Sequence, residues 1–232
     1  MVLDGRQEKW DKYFENYKVN NARLATFQLT AENALKILKN RRTGKVLDIG
    51  CGNGLIDIVL AKNSKFEITG CDISGKAISE AKEKASKAGV SIVFEEEDAY
   101  ALDYPNNYFD VILSFGYSAA ATYERARKET YRVLKPGGLF VCDFINHRSL
   151  YKLLFFPKNL ILGYAKLKEV SEIKNKFKKD NFEFVSMHSF NTFPPVFGKI
   201  IPPKIYILFE RVIGSLLKSV LGRTLLFCFK KN

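Results

Sequence analysis

Histidine and methionine are scarce in this chain, with two of each among 232 residues, and cysteine occurs four times. Cys51, Cys71, Cys142 and Cys228 form no C-x-x-C pair, and two histidines cannot complete a ligand set around them, so no metal site is expected. Cys71, Cys142 and Cys228 sit in or at the end of apolar runs, which suits reduced, buried thiols and a cytoplasmic setting. No stretch reaches the ~18 consecutive apolar residues of a spanning helix. Lys152, Pro157 and Lys158 interrupt residues 150–165, and Glu210, Arg211, Lys218 and Arg223 interrupt residues 205–229. The first ten residues carry Asp4, Arg6, Glu8 and Lys9 without an apolar segment, so no secretory signal is read there. A soluble protein, at most peripheral to a membrane, is the expectation. Glycine (15) and proline (7) are not enriched and no fixed-period repeat occurs, which excludes fibrous and repeat classes.

What is present suits one packed domain over residues 1–232: 47% hydrophobic and 27% charged residues, in a length that fits an α/β domain with an insertion. The net charge of +12 is unevenly placed. Residues 1–146 hold 21 Lys and Arg against 20 Asp and Glu, whereas residues 147–232 hold 16 against 5. The last third therefore carries nearly all the excess.

Helical spacing of Trp10, Tyr13, Phe14 and Tyr17, and of Leu24, Phe27, Ala31, Ala34, Leu35 and Leu38, predicts two opening helices within residues 1–42. Strand and helix then alternate through residues 43–146. Strands are read at 45–49, 66–71, 91–95, 109–114 and 139–144, with helices at 54–63, 75–88 and 120–134. Ser74 suits an N-cap, Gly89 a C-terminal stop, and Lys135-Pro136-Gly137-Gly138 a turn. Residues 147–232 give a helix at 166–180, a strand at 182–190, an amphipathic helix at 205–221 and a final strand at 224–229. In that amphipathic helix Ile205, Leu208, Phe209, Val212, Leu216 and Val220 form the apolar face. The pattern is that of a doubly wound, mostly parallel α/β sheet with its ligand crevice at the carboxyl ends of the strands.

The chemistry concentrates in Val46-Leu47-Asp48-Ile49-Gly50-Cys51-Gly52-Asn53-Gly54, a strand running into three alternating glycines before a helix. Glycine there lets the backbone approach a ligand. A dinucleotide fingerprint fails, because its third small residue would fall on Leu55. Asp72 ends the second strand 22 residues after Gly50, where a carboxylate can accept bonds from two ribose hydroxyls. Asp98-Ala99 follows the third strand, and Glu129 precedes Arg132-Val133-Leu134-Lys135-Pro136-Gly137-Gly138.

These four motifs, in this order over residues 45–144, resemble the class I S-adenosylmethionine-dependent methyltransferases, in particular those that act on small molecules. The resemblance implies a seven-stranded Rossmann-like methyltransferase fold with N-terminal cap helices and a C-terminal insertion. It implies S-adenosylmethionine as cofactor and S-adenosylhomocysteine as product. The implied cofactor residues are Asp48, Gly50, Cys51, Gly52 and Asn53 along the methionine part, Asp72 on the ribose, Ile73 on the adenine face, Asp98 on the adenine amino group with Ala99 the small residue that follows it, and Ser114 at the end of the fourth strand. The [DN]-P-P-[YF] sequence common where such enzymes methylate base amines is replaced by Ser114-Phe115-Gly116-Tyr117, which disfavours a nucleic-acid base as acceptor.

Methyl transfer needs alignment more than a fixed catalytic residue. His147, just past the fifth strand, is the candidate base, against a structural role; His188 lies within the sixth strand and reads as structural. Tyr13 and Tyr17 could reach the cofactor from the cap or belong to the core. The basic tail holds 14 of 31 aromatic residues and leaves several readings open. These are a small-molecule or lipid-like acceptor with negative charge, an anionic membrane surface, RNA phosphates, or a lysine-rich solvated face over an ordinary core. A methyl transfer to RNA or protein, an aminopropyl transfer and a non-catalytic cofactor-binding subunit are the competing functions.

Overall fold

A computed structural model describes residues 5–116, 119–146, 170–190, 201–216 and 222–232. Two helices come first, α1 (Arg6–Glu15) and α2 (Asn21–Ile37), followed by β1 (Thr43–Ile49), α3 (Leu55–Asn63), β2 (Lys65–Asp72), α4 (Gly75–Ala88), β3 (Val93–Glu96) and β4 (Phe109–Ser114). Then come α5 (Ala119–Thr122), α6 (Glu124–Val133), β5 (Leu134–Ile145), α7 (Val170–Lys179), β6 (Phe182–Phe190), α8 (Pro203–Leu216) and β7 (Thr224–Lys231). The seven strands form one sheet in the order β3-β2-β1-β4-β5-β7-β6, parallel except for β7, which runs antiparallel to both neighbours.

Burial on both faces explains why the central strands read as continuous apolar runs. Val46, Ile68, Val111, Leu113 and Val141 pack toward α2, α3 and α8, and their alternates Leu47, Ile49, Ile112, Phe140 and Cys142 pack toward α5, α6 and α7. Helix termini follow the local chemistry. Ser74 caps α4 by accepting from the Ala77 amide, and Gly89 ends it at φ 66°, which costs little without a Cβ.

Three expectations need correction. The helix read at 120–134 breaks at Tyr123 into α5 and α6. Residues Lys135–Gly138 bulge within β5 and do not precede it, because the pairing to β4 jumps from Phe109–Leu134 to Val111–Leu139. On α8 the apolar face is inverted: Ile205, Leu208, Phe209 and Val212 are exposed, whereas Tyr206, Ile207 and Glu210 are buried. Arg211 holds that orientation through Glu32 of α2 at 2.5 Å. Among the described residues, the tail's aromatics are chiefly core. Phe177, Phe182, Phe190, Tyr206, Phe227 and Phe229 are buried, and the Phe177 and Phe229 rings stack 4.0 Å apart.

Candidate active site

The carboxyl ends of β1, β2, β3, β4 and β5 converge on one crevice, with the chain order reversing between β1 and β4. The glycine loop leaves β1 and is tied to β2, where Gly50 and Cys51 amides both donate to the Cys71 carbonyl at 2.7 and 2.9 Å. Two of its glycines serve opposite needs. At Gly54 (φ +72°) a Cβ would lie 2.7 Å from the Phe94 ring and 3.0 Å from Ala81, so close packing of α3 on α4 and β3 requires glycine. At Gly50 (φ +79°) a Cβ would meet no atom within 4 Å, so that position opens onto free space where a ligand can lie against backbone. Gly54→Ala is accordingly expected to destabilise the fold by roughly 2–4 kcal/mol through overpacking and the left-handed backbone. Gly50→Ala should fold with a loss of only about 1 kcal/mol yet lose ligand affinity. Thermal melts paired with calorimetry separate the two; equal melting of both variants would remove the distinction.

Asp72 closes the loop from the other side. Its Oδ2 accepts from the Gly52 amide at 2.9 Å and its Oδ1 from the Ser74 amide at 3.0 Å, so one carboxylate fixes both the glycine loop and the start of α4. Burial raises its pKa above the ordinary carboxylate value, and those amides only partly restore it. Asp98 lies 8% exposed and accepts two parallel bonds from Arg6, both 2.9 Å, and a third from the Tyr100 amide. Burial alone would push Asp98 upward; Arg6 and that amide outweigh it and hold the carboxyl below its usual range. The Arg6 guanidinium also stacks 4.1 Å from the Tyr100 ring centroid. Ile73 and Asp98, with Tyr100 and Leu102, line an open depression of about 580 Å³, and Ala99 packs beneath it, partly buried.

Helix α1 lies across this end of the crevice. Asp11 accepts from the Ser74 hydroxyl at 2.5 Å, Gln7 donates to Glu96 at 2.6 Å, and Phe14 is buried against the position of a Gly52 Cβ. Tyr13 is 42% exposed, meets the Phe14 ring edge to face and lies tilted against Tyr17. Helix α2, by contrast, packs into the core beside α3 and α8.

Beneath the loop, Asp48 of β1 and Asp57 of α3 are buried together. Asp48 Oδ1, both Asp57 oxygens and Asn53 Nδ2 have no hydrogen-bond partner when both acids are ionised. A proton shared between the acids satisfies Asp48 Oδ1 and one Asp57 oxygen, and burial followed by their mutual repulsion drives the Asp57 pKa well up. Burial likewise raises the Cys51 thiol, which excludes a thiolate nucleophile there.

Ser114 departs from expectation: its hydroxyl is fully buried and donates to the Ile49 carbonyl at 2.7 Å, so it joins β4 to β1 and does not line the crevice. His147 lies outside the described residues. His188 is exposed on β6. Arg132 makes two bonds to Glu129 and reaches the Leu102 and Tyr104 carbonyls, so the E-x-x-R stretch braces the loop before β4. Two acids went unread in the sequence, Asp57 and Asp143. Asp57 could have been flagged as a lone carboxylate among Ile56, Ile58, Val59 and Leu60. No pattern marks Asp143, whose Oδ1 accepts from the amide of Gly116, just past the neighbouring strand β4, at 2.9 Å.

A family model described as a methyltransferase domain matches residues 46–138. Demethylmenaquinone methyltransferase of Staphylococcus aureus (strain MRSA252) is 33% identical over 220 residues, covering 82% of this chain and 86% of that protein. The chain belongs to the class I S-adenosylmethionine-dependent methyltransferases. As a methyltransferase it also matches the demethylmenaquinone methyltransferase of Thermus thermophilus, 34% identical over 114 residues, spanning 48% of this chain and 52% of that protein. The methyltransferase fold recurs in magnesium protoporphyrin IX methyltransferase from Synechocystis PCC 6803 with bound SAH, at a TM-score of 0.62 and 16% identity, covering all of this chain and 98% of the other. A protein from Pyrococcus horikoshii OT3 shares it at a TM-score of 0.66 and 20% identity, over 95% and 99% of the two chains. Among the described residues, this methyltransferase has no helix long and apolar enough to cross a membrane.

Proposed function

We propose that this methyltransferase acts on a lipid-like aromatic acceptor of the quinol type. The observation that carries this reading is the extent of the Staphylococcus aureus match, which covers 82% of the chain and so runs well beyond the cofactor-binding span 46–138. A relative sharing only the donor site would align over that span alone. The excess of basic residues after position 146 suits an acceptor that carries or develops negative charge.

In this reading the residues of the crevice divide the cofactor among them. The backbone from Gly50 to Asn53 holds the methionine end, where the space at Gly50 and the unpaired Asn53 amide await a partner. Asp72 accepts the ribose hydroxyls, its two amide bonds leaving further lone pairs on both oxygens. Ile73 and Ala99 pack on the adenine ring. Asp98 accepts the adenine amino group: Arg6 and the Tyr100 amide fill three of its roughly four lone-pair sites. Bound there, the cofactor supplies a methyl group already activated on a sulfonium. The protein's part is to align the acceptor and keep water out, and alignment alone can supply ~7–11 kcal/mol. Helix α1 provides the cover through Phe14 and Arg6.

Calorimetry with S-adenosylmethionine and S-adenosylhomocysteine tests the donor side, and both should bind at micromolar to sub-millimolar concentration. Incubation with labelled methyl donor and reduced demethylmenaquinone in detergent tests the acceptor side, where a product heavier by one methylene is expected. Donor binding without transfer to this quinol would end the acceptor reading and leave the family untouched.

A further inference from the structure

Methyl transfer to a hydroxylated ring requires somewhere to put the ring's hydroxyl proton. Asp143 stands on β5 beside the chain leaving β4, since Cys142 pairs with Ser114 in the parallel register. Its Oδ1 is fixed by the Gly116 amide at 2.9 Å, and its own backbone amide is a second donor to the carboxylate. Gly116, at φ +62° with nothing within 4 Å of a Cβ position, leaves the space beside that carboxylate open. Asp143 lies near the carboxyl end of β5, the end of the sheet at which the crevice opens, and near enough to Asp48 beneath the glycine loop for the two to repel. Among the described residues, the charged and titratable groups that reach Asp143 from the elements around it are Asp48 from β1, Arg223 just before β7 and buried Cys142 on its own strand.

We propose that Asp143 is the proton acceptor for the methyl acceptor, and that the site therefore takes phenolic or enolic substrates. This rests on the quinol reading above. The acceptor's O–H proton passes to Asp143 Oδ2, and the ring electron pair so released forms the bond to the methyl carbon. The pair of the breaking carbon–sulfur bond remains on sulfur, giving the neutral thioether. Where the new bond is to carbon, the ring proton at that carbon leaves afterwards to solvent as the ring regains aromaticity. The positive charge of Arg223 opposes the effect of burial at Asp143 and favours its ionised form. Burial raises Asp143 to about 6, so at neutral pH it is ionised and still basic enough to share a phenolic proton.

Asp143→Asn keeps an oxygen for the Gly116 amide and removes only the ionisable one, so the test separates chemistry from structure. With reduced demethylmenaquinone as acceptor, kcat is expected to fall 100-fold or more while KM and S-adenosylhomocysteine affinity stay within twofold. The wild-type kcat should decline with unit slope below about pH 6, and the variant should lose that limb. A kcat within threefold of wild type, or a retained acid limb, overturns the proposal. A second measurement needs no acceptor: carbon-13 titration of the Asp143 carboxyl, assigned by its absence in the variant. Cationic S-adenosylmethionine should lower its midpoint by about half a unit or more, and neutral S-adenosylhomocysteine should not. A midpoint unmoved by the sulfonium places Asp143 away from the reacting centre and refutes the role, even if the quinol proves not to be the acceptor.

Discussion

Asp72→Ala is expected to weaken S-adenosylmethionine binding by about 1.5–3 kcal/mol, roughly 10- to 150-fold, while the protein still folds. Two losses combine in that figure. The direct one is the pair of charge-assisted bonds proposed to the ribose hydroxyls. The indirect one is structural, because the same carboxylate receives the Gly52 and Ser74 amides and so sets the glycine loop against the start of α4. Removing it strands both donors, at a stability cost of about 1–3 kcal/mol. Asp72→Asn distinguishes the contributions: its oxygen keeps one amide partner, but its NH₂ group faces the other donor. Affinity should then fall nearly as far as in the alanine variant while the melting temperature drops less. Calorimetry and thermal melts read the two effects separately. A folded alanine variant with unchanged affinity would confine Asp72 to its role in the loop.

The second large effect belongs to the buried acid pair. Burial raises Asp48 to about 7 and, with the repulsion of Asp48, pushes Asp57 well above its ordinary value near 3.8. The folded protein thus holds protons that the unfolded chain releases, and stability falls as pH rises from about 4 through about 7. Asp57→Asn puts a permanent N–H donor where the shared proton sits. At pH 8 it is expected to stabilise the fold by roughly 1–3 kcal/mol, or about 2–4 °C in Tm for each kcal/mol in a chain of this length. Near pH 4 the wild-type pair is protonated and the advantage should vanish. The difference between variant and wild type, followed across pH, cancels the other titrating groups. A Tm difference that is the same at pH 4 and pH 8 would mean the pair is not sharing a proton.

The alternation of strand, glycine loop and helix over residues 43–114 was legible in the sequence for a physical reason. Strands buried on both faces must be apolar runs, the loop between β1 and α3 must be glycine, and acids at strand ends lie a fixed number of residues after that loop. Val46–Gly54 and Asp72 are local consequences of those constraints and are legible from spacing, whereas Asp98 was singled out by the family resemblance. Ser74 and Gly89 likewise announce the ends of α4.

What tertiary structure alone decided are the pairings between distant residues and the facing of surfaces. Arg6 meets Asp98 across 92 positions, and Asp143 meets the Gly116 amide from a neighbouring strand; no periodicity encodes either contact. The apolar stripe of α8 fits the helical period yet faces outward, because Tyr206, Ile207 and the Arg211–Glu32 pair determine which side rests on α2. Ser114 ends β4 as expected, but its hydroxyl turns to the Ile49 carbonyl, since a buried hydroxyl without a partner would cost more than the strand could tolerate. Period and composition set which residues are apolar and where chains turn. Which apolar face is covered, and which acids share a proton, depends on neighbours that only the folded sheet brings together.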